Sequence, residues 1–174
     1  MKHFAAILLT TLLLWMNSCR PDYPFYSVTG LKPVYISHDS LPLIYNLPPQ
    51  PVVNSGPIFL QDSLFFMVEM RKGIHVFNVS DSANPLSLTF LKIPAVTDFT
   101  LSGNTLYADN GTNLVTINLA NLYSIQVMYT QQDVFLPMLF PNNYSGRFEC
   151  VDPKKGIVID WDTVTLKSRC SSSN

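Results

Sequence analysis

The chain has 174 residues, a formal net charge of −1, 13% charged residues and 47% hydrophobic residues. That length suits one ordinary domain with its own core. The sparse, balanced charge, with no basic cluster and no basic stripe interleaved with aromatics, excludes the electrostatic footprint of a nucleic-acid binder.

Lys2 and His3 precede an apolar run from Phe4 to Trp15, and Ser18 leads into Cys19. The run is shorter than the roughly 20 residues a bilayer-spanning helix needs, and it ends in a processing-like site. Residues 1–18 therefore read as a bacterial lipoprotein signal peptide. Lipid on Cys19 then anchors the mature chain to a membrane, each buried CH₂ contributing about 0.8 kcal/mol. Met16-Asn17-Ser18 departs from the usual lipobox, which has Leu and then a small residue at its first two places. An ordinary secretory peptide, leaving Cys19 a free thiol, is the alternative. The expected location is the cell envelope at the outer membrane. Arg20-Pro21-Asp22 carries no acidic cluster to choose the periplasmic or the surface face.

Residues 19–56 read as a tether, punctuated by Pro21, Pro24, Pro33, Pro42, Pro48, Pro49 and Pro51, with one short strand at Pro33 to Ser37. Proline supplies no backbone donor and holds a chain extended. The aromatics Tyr23, Phe25, Tyr26, Tyr35 and Tyr45 lay this tether along the domain surface.

Residues 57–130 show short apolar, β-branched and aromatic runs between turn residues, the pattern of consecutive antiparallel strands. Strands are predicted near Pro57–Leu60, Leu64–Met70, Ile74–Val79 and Leu86–Ile93, then near Asp98–Leu101, Thr105–Ala108, Leu114–Leu119 and Tyr123–Tyr129. The two sets align: Asp62-Ser63-Leu64-Phe65 over Asn104-Thr105-Leu106-Tyr107 at a spacing of 42, and Ile74–Asn78 over Leu114–Asn118 at a spacing of 40. Four strands every 40–45 residues is the period of a propeller blade. The fold class expected is all-β, with about two antiparallel four-stranded blade-like repeats making a partial β-propeller. The bland alternative is a meander whose hairpins happen to be equal in length.

Residues 131–174 form a C-terminal tail. Cys150 and Cys170 would lie in a compartment that permits disulfides. A bridge between them closes a loop of about 20 residues, worth roughly 3 kcal/mol; two free thiols are the other reading. No His or second Cys stands at zinc-ligand spacing near either.

Lys72-Gly73-Ile74-His75-Val76-Phe77-Asn78, Ser82 to Pro85, Phe90 to Pro94, Gly103 to Asp109 and Leu114 to Asn118 together resemble the LVIVD-repeat β-propeller lipoproteins of Gram-negative bacteria. Arg147 to Val158 resembles the stretch that follows the first blades in that family. The resemblance spans roughly Gly30 to Cys170 and includes the lipoprotein start. Asn78 and Asn118 stand where the family has Asp, and Asn also caps such turns. The resemblance further implies blades beyond these two, because propellers close with 4 to 8. A shortened or truncated member, edges covered by the proline-rich arm and the tail, and self-assembly of several chains through open blade edges each accommodate this.

No catalytic constellation emerges. His38-Asp39-Ser40 has the residue types of a hydrolytic triad, but adjacent positions do not converge as a triad does. His75 is expected on the strand face opposite Ile74 and Val76, at the surface or between sheets. Asp160 and Asp162 share one face of a predicted strand from Ile157 to Val164, yet a hard cation needs more oxygens than two can offer. Asp109-Asn110-Gly111 suits a tight hairpin better than a cation loop. No phosphate-binding glycine loop or nucleophile elbow occurs, so no cofactor or metal is expected. The sequons at Asn78, Asn110 and Asn143 and the Asp-Ser/Thr-apolar sites at Ser40, Ser63, Ser82 and Thr163 are candidate modification points.

The function expected is that of a non-catalytic envelope lipoprotein, its blades presenting a surface to a protein or glycan. Phe135, Phe140, Tyr144 and Phe148 are the candidate contacts, the alternative being that they pack the tail onto the blades. A fragment of a complete propeller with an enzymatic or nutrient-uptake role is the rival reading, and a non-functional truncated member is a third.

Overall fold

The computed structural model describes residues 28–166. Residues 1–18, Cys19 and Cys170 lie outside them.

The described residues are all-β, in three antiparallel sheets. The first sheet holds β2 (Tyr45–Leu47), β3 (Ser55–Gln61), β4 (Leu64–Glu69), β5 (Gly73–Asn78) and β6 (Leu86–Lys92), in the order β2-β6-β5-β4-β3. The second holds β7 (Phe99–Ser102), β8 (Thr105–Asn110), β9 (Asn113–Asn118) and β10 (Gln126–Gln131), in the order β10-β9-β8-β7. All eight strands predicted between residues 57 and 130 are present, the last shifted so that Tyr123 lies in the turn.

The third sheet extends the reading of the chain's flanks, where strands were expected only at Pro33 to Ser37 and Ile157 to Val164. β1 (Val28–Ile36) pairs antiparallel with β11 (Ile157–Leu166), Val28 facing Leu166 and Pro33 facing Trp161. Nine residues of the supposed tether are thus a strand, and β2 is a second strand within it. Pro33 sits within β1 because a two-stranded ribbon has only edge strands, where a missing donor is tolerated.

The repeat is written in hydrogen bonds forty residues apart. Asn78 Oδ1 accepts from Ser80 N at 2.8 Å, and Asn118 Oδ1 from Ala120 N at 2.8 Å. Asp81 Oδ1 accepts from Ala83 N, and Asn121 Oδ1 from Tyr123 N, both at 3.0 Å. The Asp81 carbonyl accepts from Asn84 N, and that of Asn121 from Ser124 N, both at 3.1 Å. Leu88 and Met128 are skipped in the pairing at the same place in each sheet, producing matching bulges.

The alignment of β4 with β8 needs one correction. Leu64 pairs with Asn78 and Thr105 with Asn118, so Leu64 corresponds to Thr105, one residue from the match expected. The cause is turn length: residues 70–72 join Glu69 to Gly73, whereas Gly111-Thr112 alone join Asn110 to Asn113. Asn110 therefore ends β8, and Gly111 (φ +68°) takes the left-handed first place of the turn.

Corresponding positions do not bury corresponding faces. The pair Phe65–Phe77 matches Leu106–Ile117, yet Leu106 and Ile117 lie in the core while their counterparts face outward. The first sheet instead contributes Phe66, Val68, Ile74, Val76 and Leu91. The front of one sheet thus packs on the back of the next, around a shared core with Ala108, Val115 and Leu119. Each fully buried aliphatic or Phe side chain contributes about 1.5–3 kcal/mol relative to exposure. The β1–β11 ribbon joins the pair at one end, where Leu41, Ala95 and Ile157 cluster and Arg71 Nη2 meets Asp160 Oδ1 at 2.9 Å.

Candidate functional site

The strand order forces residues 48–54 to run from β2, at one edge of the first sheet, to β3 at the other. Glu69, at the end of β4 on the outward face, holds this crossing down. Its Oε1 accepts from Asn54 N at 2.7 Å and its Oε2 from Val53 N at 2.9 Å. His75 Nε2 lies 3.2 Å from Oε2. Burial raises the Glu69 pKa, but the Val53 N–H, His75 and the Asn54 N–H together outweigh it and hold the carboxyl below 4.5. It is ionised at neutral pH and can only accept, which assigns the His75 proton to Nε2.

His75 does face opposite to Ile74 and Val76, but it is not a surface residue: its exposure is 0%. Phe90 and Phe77 stand at 4.8 and 5.9 Å between ring centroids, and its Nδ1 has no hydrogen-bond partner among the described residues. A cleft of about 530 Å³ opens beside this pair, bounded by Gln50, Val53, Glu69, Lys72 and Lys92. With its oxygens bonded to two backbone donors and to His75, Glu69 clamps the crossing segment onto the sheet.

The other sequence candidates stay apart. His38, Asp39 and Ser40 form a single 3₁₀ turn in which Ser40 Oγ pairs with Ser37 Oγ at 2.8 Å. Asp160 is taken by Arg71, and Asp162 stands opposite Lys32. Asp109 accepts from Thr97 N, Thr97 Oγ1 and Asp98 N at 2.6 to 2.8 Å, clasping the link between the sheets. Asn110 is buried, its amide donating to the Pro94 carbonyl at 2.6 Å, which removes it as a glycan acceptor. No group of three His, Cys, Asp or Glu able to hold a metal occurs among the described residues. Cys150 is disulfide-bonded; Cys19 and Cys170, the other two cysteines of the chain, both lie outside the described residues.

No family model, curated protein or solved structure matches this chain. What it offers a partner must be read from its own surface.

Of the four aromatic candidates, Phe148 packs edge-on against Trp161 at 5.7 Å and is half-buried. Phe135, Phe140 and Tyr144 are exposed, as are Tyr107 and Tyr129 on the open face of the second sheet. Sequence reasoning missed Asn46 altogether. Its Nδ2 donates to the Leu122 carbonyl at 2.7 Å and to Thr89 Oγ1 at 3.2 Å, and its Oδ1 accepts from Ile125 N at 2.8 Å, tying β2 to the β9–β10 turn. One asparagine in a proline-rich stretch gives no periodic signal, because its partners lie 43 to 79 residues away.

Proposed function

We propose that this is a non-catalytic cell-envelope lipoprotein, held to the outer membrane by lipid on Cys19, whose two stacked sheets are successive propeller-type blades offering a protein- or glycan-binding surface. The observation that carries the blade reading is the front-to-back stacking. A rotation that repeats the same unit turns corresponding residues the same way, so each blade buries opposite faces on its two neighbours. A sandwich of two sheets related by a two-fold axis would bury the same positions of both. Tyr107, Met128 and Tyr129, on the unpartnered side of the second sheet, are the surface residues best suited to a sugar ring or an apolar side chain.

Metabolic labelling with a palmitate analogue tests the anchor: label that persists in Cys19→Ser sinks it. A second reading, assembly of blades from several chains, is favoured by the exposed Ile58 (63%) and Leu60 (62%) on the outward face of the first sheet. Sedimentation velocity separates the two, a concentration-independent monomer arguing against assembly.

A further inference from the structure

The segment between β10 and β11 is apolar from Val134 to Pro141 and carries no charge as far as Gly146. Leu136 is 95% exposed, Phe140 61% and Leu139 53%, and Leu136 is the most exposed large hydrophobic side chain among the described residues. The segment is nonetheless held in shape. Phe135 N donates to the Thr112 carbonyl at 2.9 Å, Trp161 Nε1 donates to Met138 Sδ at 3.0 Å, and Pro141 is buried. Its exit is fixed beside β1, where Leu31 N donates to the Arg147 carbonyl at 2.9 Å and Glu149 N to the Leu31 carbonyl at 2.8 Å. An apolar surface that is ordered yet uncovered marks a contact with an apolar phase or partner.

We propose that Val134–Tyr144 is a lipid-contact loop, seating Leu136, Leu139 and Phe140 at the acyl boundary with Tyr144 at the headgroup level. This rests on the anchor reading above for its placement. Val28, three residues before Leu31, is nine residues from Cys19, a stretch of covalent chain that reaches at most about 30 Å. A lipid on Cys19 therefore keeps Val28 within that distance of the bilayer, and the loop's exit beside Leu31, twelve residues from Cys19, within about 40 Å. Aliphatic and Phe side chains flanked by Tyr suit the interface, where binding strength grows with the apolar area buried. A second, weak membrane signal also orients the domain, which one flexible anchor cannot do.

The test uses the full mature chain carrying Cys19→Ser, so that no acyl chain contributes, with vesicles of equal parts phosphatidylethanolamine and phosphatidylglycerol. Trp161 is the only tryptophan once the leader with Trp15 is gone, and its bond to Met138 makes it a reporter. Vesicles should shift its emission to the blue and co-sediment the protein. Leu136→Asp combined with Phe140→Asp should cut partitioning by about tenfold or more, while the unfolding midpoint stays unchanged because both side chains are exposed. No partitioning by the parent chain, or equal partitioning by the double variant, overturns the proposal. So does loss of binding to a soluble protein in the double variant with vesicle affinity intact, which would make the loop a protein-docking segment. Palmitate labelling of Cys19 is read separately, so failure of the anchor and failure of the loop are distinguishable.

Discussion

Glu69 accepts hydrogen bonds from two backbone N–H groups and from His75, so removing it takes the partner from two part-buried donors and one buried one. Glu69→Ala should cost about 2–3 kcal/mol in urea unfolding, and Glu69→Gln less, because its amide oxygen still accepts. The same bonds set an acid limit. The folded pKa of Glu69 lies below its ordinary 4.5, so the stabilisation is complete above that value and is lost as pH falls through the folded pKa. Unfolding midpoints measured below pH 4.5 should decline less steeply in Glu69→Gln than in the parent chain; identical slopes would move the acid sensitivity elsewhere. Asn46 is the counterpart across the sheets. Asn46→Ala strands Ile125 N and the Leu122 carbonyl, at a cost of about 2 kcal/mol, whereas Asn46→Asp keeps the acceptor and loses only the donor.

The two sheets supply their own control at the hairpin turns. Asp62 (φ +52°) and Gly103 (φ +56°) occupy the same left-handed place, the first of each two-residue turn. A side chain on Gly103 would meet nothing within 4 Å, so Gly103→Ala isolates the backbone cost, about 1–2 kcal/mol. Asp62→Gly should gain up to about 1 kcal/mol by the same reasoning, and thermal unfolding of the pair checks both signs. These turns were legible in the sequence because Asp, Ser, Gly and Asn punctuate strands whose alternation is plain. β1 was legible only in part, as the short strand at Pro33 to Ser37, and β2 not at all, since Pro33, Pro48 and Pro49 mask strands whose ladders form with β11 and β6, far along the chain. The repeat indicated which residues correspond but not which face each sheet buries, because that depends on the neighbour in the stack. Glu69 escaped notice for the same reason: its donors come from a crossing segment that no local pattern announces.

At the scale of the whole molecule, three cysteines must satisfy two demands. Cys150 is disulfide-bonded, and the chain offers it Cys19 or Cys170. A cysteine whose sulfur carries a lipid thioether cannot also form a disulfide, so the anchor reading leaves Cys170 as the partner. That bridge would fasten the C-terminal end beside Glu149, itself bonded to Leu31 of β1, and so lock the β1–β11 ribbon from outside. In the chain-entropy account a loop of about 20 residues is worth roughly 3 kcal/mol. Mass mapping of the non-reduced protein should therefore find a Cys150–Cys170 peptide, and reduction should lower the unfolding free energy by about that amount. Cys170→Ser should do the same without affecting palmitate incorporation. A Cys19–Cys150 peptide would instead show the first cysteine occupied by sulfur, and the lipid anchor and the placement of the apolar loop against the bilayer would fall with it.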